Sequence, residues 1–192
     1  DLPIGESIYI WGLMLEQQSY ATSYIPTSGS SVTRNQDLCT NGATGTGLIN
    51  STEGVLYAEI AALSDDGTLR SIAITDGTVN NIIVIRYNSY SGNSAIDGIY
   101  VNGGALTTSA ILYPNPTDLT KIALSYQQGA LKLYVNGSLG ANVSLSVNNA
   151  INWNILQFNV GNGTQPFYGK VKAVAVWKEA LSDQELTELT TI

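Results

Sequence analysis

From Gly54 onward the apolar positions recur with the two-residue period of strands. The clearest case is Val171, Ala173, Ala175 and Trp177, which alternate within GKVKAVAVW and predict a strand with one buried face. The intervening positions begin polar (Lys170, Lys172) and turn apolar (Val174, Val176), so the far half is expected to be covered on both sides. Leu181-Ser182-Asp183-Gln184-Glu185-Leu186 follows. Ser182 is placed to cap a helix, Glu185 to reach back to the Ser182 amide, and Leu181 and Leu186 to staple the entry.

Upstream, residues 55–63 (VLYAEIAAL), 69–75 and 81–87 (NIIVIRY) predict three more strands, the first two ending in the Asp65-Asp66-Gly67 and Asp76-Gly77 turns. NIIVIRY is apolar almost throughout, which marks a central strand. DGIYVNG (97–103) and ALKLYVNG (130–137) each run into Asn-Gly, the strongest short-range hairpin signal. Residues 120–126 are expected to pair with 131–135 across Gln127-Gln128-Gly129, and 153–160 (WNILQFNV) to form a late strand. The expected fold class is all-β: an antiparallel β-sandwich of the jelly-roll kind with one short C-terminal helix. Before Gly54 the pattern is different. Residues 8–15 (IYIWGLML) predict a strand, 17–34 an extended connector, and 35–52 a Gly/Thr/Asn-rich loop. The chain begins at Asp1 without a signal-peptide pattern, so it is expected to be a piece of something longer.

Charged residues make up only 12% of the 192, about half the usual share, and the formal charge is −7. Eight scattered basic residues do not make a phosphate-binding surface, which sets nucleic acid aside. No apolar run is long enough to insert in a membrane as a helix. Cys39 is the only cysteine and there is no histidine, which excludes a disulfide framework and a Cys-His nucleophile.

Two stretches resemble known families. KIALSYQQGALKLYVNG (121–137), the turn at Gly161-Asn162 and FYGKVKAVAVWKEALSDQEL are similar to the closing half of laminin-G-like, concanavalin A-like lectin/glucanase domains, over about residues 54–192. IYIWGLMLEQQSYATSYIPTSGSSVTR (8–34) resembles a junction in bacteriophage tail-fibre and related virion proteins, where one β-domain hands over to a concanavalin A-like one. Together they imply residues 1–34 as a strand and connector from an upstream domain and 35–192 as a concanavalin A-like domain. They also imply a virion or extracellular location, neighbouring fibre domains as partners, and a homo-oligomer, a trimer, built through the parent chain.

Glycoside hydrolases on this fold set paired carboxylates on one strand face. Glu59 is the only carboxylate well inside a predicted strand, its same-face neighbours are Val55, Tyr57, Ala61 and Leu63, and the family's E-x-D-x-x-E motif is absent. The expectation is a non-catalytic module that binds cell-surface glycan. Aromatic faces stack on pyranose rings, while amides, acids and arginine bond hydroxyls. The candidates of those types are Glu59, Arg86, Tyr87, Tyr90, Tyr113, Trp153, Gln157 and Asn159. Against this, Arg86 is equally read as a strand-end residue paired with Glu59 or a loop acid. For each of the aromatics, packing or loop anchoring is a stronger reading than stacking on a ligand; Trp11 and Trp177 are read as core, and Tyr24 and Arg34 as pins for the connector. The resemblance also implies a loop calcium ion, Ca2+, for which Asp65, Asp66 and Asp76 are the candidates, although Asp-Gly is ordinary turn chemistry. The alternative functions are a structural spacer without ligand and a polysaccharide depolymerase.

Overall fold

The structure is a computed structural model and describes residues 9, 11–15, 23–33, 47–87, 95–113, 115–148 and 150–192. The chain divides into two compact units, Asp1–Asp37 and Leu38–Ile192. In the first, the described residues have no regular secondary structure. The strand expected at 8–15 is therefore not formed by residues 9 and 11–15. Trp11, read as core, is 83% exposed and meets Tyr24 edge-to-face, with centroids 5.4 Å apart. Tyr24 packs within its own unit here, and Arg34 lies outside the described residues.

The second unit is a sandwich of two antiparallel five-stranded sheets. Its strands are β1 (Gly54–Ala62), β2 (Arg70–Thr75), β3 (Ile82–Tyr87), β4 (Ala95–Asn102), β5 (Ala105–Leu112), β6 (Thr120–Gln127), β7 (Ala130–Val135), β8 (Ser138–Val143), β9 (Ile155–Gln157) and β10 (Gly169–Trp177). One sheet has the order β10-β1-β6-β7-β8 and the other β5-β4-β3-β2-β9, so β3 is central as its apolar run requires. The sheets close on Leu56, Ala58, Ile60, Ile122, Leu124 and Leu133 from one side and Ile72, Ile74, Ile83, Ile85, Ile96 and Tyr100 from the other. These alternate along their strands, which is how a period of two builds a core between layers.

The turns follow their glycines. In β7–β8, Asn136 and Gly137 take φ of 48° and 79°, the left-handed pair of a type I′ turn. In β4–β5 the same role falls to Gly103 and Gly104 (φ 55° and 85°), so Asn102 is the last strand residue and pairs with Ala105. The turn sits one residue later than Asn-Gly alone would place it, because a second glycine is available there.

Helix α1 (Asp183–Thr190) has the expected capping box: the Glu185 amide donates to Ser182 Oγ, and the Ser182 amide donates to Glu185 Oε2 at 2.8 Å. It lies over the outer face of the first sheet, where Leu186 packs with Val55, Tyr57, Ala123 and Tyr134. That position corrects the reading of β10. Its face toward the main core is Val174 and Val176, while Ala173, Ala175 and Trp177 lie on the helix side. Val171 is 42% exposed and pairs with Ile60 beyond a bulge that leaves Lys172 as the extra residue. The alternation is real, but a strand covered on both sides does not say which face is the deeper.

Candidate ligand-binding face

The outer face of the β5-β4-β3-β2-β9 sheet collects the polar strand residues. Cross-strand partners share a face, and the register sets Ala110, Asp97, Arg86 and Ser71 in one row across β5, β4, β3 and β2. Gln165 extends the row: its carbonyl accepts the Ser71 amide at 3.1 Å and its Oε1 accepts the Ser71 hydroxyl at 3.1 Å. Gln165 does so with φ of 53°, a left-handed conformation that a residue with a Cβ holds only when its surroundings impose it. The next row runs Thr108, Ile99, Val84, Ala73 and Gln157. An apolar strip of Ala73, Val84 and Ile99 thus borders a polar one, and both are buried, with Ser71, Ala73 and Val84 fully covered.

Arg86 and Asp97 are both buried. Nη2 and Nε of Arg86 donate to Oδ2 of Asp97 at 2.6 and 3.2 Å. The pairing with Glu59 expected from the sequence is not made. Glu59 is on the outer face of the other sheet and bonds Lys172 Nζ at 2.8 Å. The sequence pattern puts Asp97 at the beginning of a strand, whereas β4 starts two residues earlier, at Ala95, which sets Asp97 inside it.

Of the other candidates, Gln157 lies on this face beside Ala73. Asn159 begins the adjoining loop, where its Oδ1 accepts the amides of Gly161 and Gly163 at 2.7 and 3.2 Å; it shapes the loop rather than projecting from it. Val160 of the same loop packs against the apolar strip. Tyr87 and Trp153 are core residues, as the packing reading has it, which removes them as sugar-binding candidates. Tyr87 donates to the Ile60 carbonyl at 3.1 Å and stacks near Phe167. Trp153 is held edge-to-face between Tyr100 and Tyr126, centroids 5.4 and 5.6 Å away. Burial pushes the Tyr87 hydroxyl far above the ordinary tyrosine range, and that of Tyr126 likewise. The Tyr113 hydroxyl accepts from Thr120 Oγ1 at 2.9 Å and from Asn136 Nδ2 at 3.3 Å, anchoring the segment before β6. Tyr90 lies outside the described residues.

The calcium candidates do not fit a cation. Both Asp66 oxygens face Arg70 Nη2, at 2.9 and 3.0 Å, and Ser64 and Thr68 also donate to them. Arg70 is itself buried and further fixed by the carbonyls of Thr68 and Tyr168, so the guanidinium already fills the place of a metal. Asp76 accepts from Thr78 on Oδ1 and from Asn81 on Oδ2, closing its own turn. Asp65 is an exposed neighbour, and no cluster of three metal-ligating side chains is formed among the described residues.

Several solved structures share this architecture. The sialidase carbohydrate-binding module CBM40 of Ruminococcus gnavus, bound to α2,3-sialyllactose, superposes with a TM-score of 0.62 at 18% identity, covering 74% of this chain and 84% of that one. Domain 4 of AbnA, a GH43 extracellular arabinanase from Geobacillus stearothermophilus in complex with arabinotriose, gives 0.61 at 18% identity, covering 76% and 69%. The leech intramolecular trans-sialidase gives 0.59 at 20% identity over 74% of this chain, which spans only 24% of that enzyme. No curated protein matches the sequence. A family model does, over residues 27–187, and on that match the chain belongs to the concanavalin A-like lectin/glucanases superfamily, Laminin_G_3 branch.

Proposed function

We propose that the Leu38–Ile192 unit is a non-catalytic carbohydrate-binding module, and that its glycan lies on the outer face of the β5-β4-β3-β2-β9 sheet, toward Gln157 and Gln165. The observation that carries this reading is the half-buried Gln165, held at φ 53° at the end of the buried row Asp97, Arg86, Ser71, with Gln157 and Val160 on the same side of the sheet. Hydroxyl-rich ligands need fixed donors and acceptors next to surface that accepts CH groups. Sugar complexes of two fold neighbours, the Ruminococcus CBM40 and the arabinanase domain, support the choice of ligand class. The charge of −7 favours neutral or cationic sugars over strongly anionic ones.

Hydrolysis has no support among the described residues. The strand carboxylates Glu59 and Asp97 are on different sheets, and each is tied to a cation. The setting we propose, on the junction sequence at 8–34, is a phage tail fibre or similar virion adhesin exposed outside the cell. There, repetition in an oligomer, a trimer, would raise avidity for host-surface glycan beyond a single site. A glycan array probed with the chain, alongside Gln157→Ala and Gln165→Ala, tests the binding. The expected result is selective binding of uncharged glycans by the parent chain, weakened in both variants. Absence of any carbohydrate preference would leave the module a spacer.

A further inference from the structure

Four asparagines precede a glycine: Asn41, Asn102, Asn136 and Asn162. Asn41 lies outside the described residues. Such a pair is open to cyclisation, because a glycine, with no Cβ, lets its own amide nitrogen approach the asparagine Cγ. Sequence alone ranks the three described pairs equally, and the fold separates them.

At Asn136 the carboxamide is held at both ends. Its Oδ1 accepts the Lys121 amide at 3.0 Å and its Nδ2 donates to the Tyr113 hydroxyl at 3.3 Å. The Gly137 amide donates to Thr190 Oγ1 of helix α1 at 3.1 Å. At Asn102, the last residue of β4, Oδ1 accepts Asn148 Nδ2 at 3.0 Å, and the Gly103 amide donates to Asn81 Oδ1 at 2.9 Å. Both asparagines are half-buried, whereas Asn162 is exposed. The Gly163 amide is held least, 3.2 Å from Asn159 Oδ1, an oxygen that the Gly161 amide already occupies at 2.7 Å. Asn162 Oδ1 accepts two bonds from Thr164, one from its amide at 3.0 Å and one from its hydroxyl at 2.6 Å. Negative charge develops on that oxygen when Cγ is attacked, so the two donors stand where an oxyanion needs them.

We infer that Asn162 is a self-modification site, converting to aspartate and isoaspartate in the folded chain while Asn102 and Asn136 stay intact. The Gly163 amide gives its proton to hydroxide, and its nitrogen bonds to Asn162 Cγ. Oδ1 takes the electron pair, which the Thr164 donors stabilise. As the pair returns, the Cγ–Nδ2 bond breaks, and Nδ2 takes a proton from water and leaves into solvent as ammonia. Water then opens the succinimide at either carbonyl. A neutral amide becomes a carboxylate, and in isoaspartate the main chain gains a methylene. That methylene falls inside a turn closed by the Val160 amide on the Thr164 carbonyl at 3.1 Å. Gln165 follows directly, so its carbonyl bond to the Ser71 amide loosens with the turn. The modification is independent of the glycan reading; only its effect on binding rests on that reading.

Peptide mapping by mass spectrometry tests this on the full chain, aged in mildly alkaline buffer with the fold followed by circular dichroism. Asn162 is expected to convert at least about tenfold faster than Asn102 and Asn136 in the folded chain, and the three rates to converge in urea. Thr164→Val, which removes the hydroxyl donor, is expected to slow conversion of Asn162 several-fold, and Thr164→Ser to keep the parent rate. In the isoaspartate form, separated by ion exchange, the Ser71 amide is expected to exchange with solvent faster than in the parent. Equal rates at the three sites in the folded chain, conversion of Asn162 only in urea, or a rate unslowed in Thr164→Val would overturn the proposal.

Discussion

Arg86 and Asp97 stand directly opposite each other on β3 and β4, and two guanidinium nitrogens, Nε and Nη2, donate to one oxygen, Oδ2. Neither residue is reached by much solvent. Breaking a buried ion pair by removing one partner costs about 3–5 kcal/mol, whereas replacing both by apolar residues of similar size is often neutral. Asp97→Ala is therefore expected to lower urea-unfolding stability by about that amount, and Arg86→Met with Asp97→Leu to recover most of it. Equal losses in the single and double variants would mean that the pair does not act as a unit.

Acid should weaken the fold through Asp66 and Asp76. Burial pushes both carboxyls up, but bonds from Ser64, Thr68 and Arg70 to Asp66, and from Thr78 and Asn81 to Asp76, outweigh it and hold both below the usual carboxylate range. A group whose folded value is depressed stabilises fully above its unfolded value, about 3.9, and loses that contribution as pH falls toward the folded one. Stability is expected to be flat down to about pH 4 and to drop below it. Asp66→Asn is expected to shrink that drop. An unchanged acid limb in Asp66→Asn would exclude Asp66 as its source.

Alkali acts in the opposite sense. Burial raises the hydroxyls of Tyr87 and Tyr126 well above the ordinary value, so the folded state holds these two protons while the unfolded chain releases them above about pH 10. Stability should decline above about that pH. In a titration followed at the phenolate absorbance, two of the eleven tyrosines are expected to ionise only with unfolding. A smooth titration of all eleven with the fold intact would contradict the burial assigned to them.

Helix α1 is held by its cap and by Leu186. Ser182→Ala removes the acceptor of the Glu185 amide and is expected to cost about 1 kcal/mol. Leu186→Ala opens a cavity against Val55 and Tyr57 and is expected to cost about 2–5 kcal/mol. Chemical denaturation checks both. If Leu186→Ala cost no more than Ser182→Ala, the helix would not be part of the outer-face packing.

Where the sequence carried a strict local rule, the structure was legible from it. Ser182 and Glu185 announce the cap, NIIVIRY announces a central strand, and Asn136-Gly137 announces the β7–β8 turn. What failed was the choice of face. In NIIVIRY and AVAVW nearly every position is apolar, so parity does not say that Tyr87 points inward or that Val174 and Val176 make the core side. β5 and β8 passed unmarked because ALTTSAIL and SLGANV are edge strands, with one side open and no sharp alternation. Residues 8–15 show the opposite error. Their apolar run is genuine, yet Trp11, Leu13 and Leu15 are exposed, because an apolar run becomes a strand only where a neighbour supplies hydrogen bonds. Of the candidate site, Arg86, Gln157 and Asn159 were legible as polar residues among apolar ones. Ser71 and Gln165, which complete the row, were not, since only the fold of the 158–167 loop brings them together.

The ligand face is tested most directly by backbone amide NMR of the labelled chain titrated with neutral oligosaccharides. The account predicts saturable shifts concentrated at Ser71, Arg86, Gln157 and Gln165, with Glu59 and Lys172 on the opposite sheet unmoved. Shifts centred on Glu59 and Lys172, or none across a neutral panel at millimolar concentration, would contradict it.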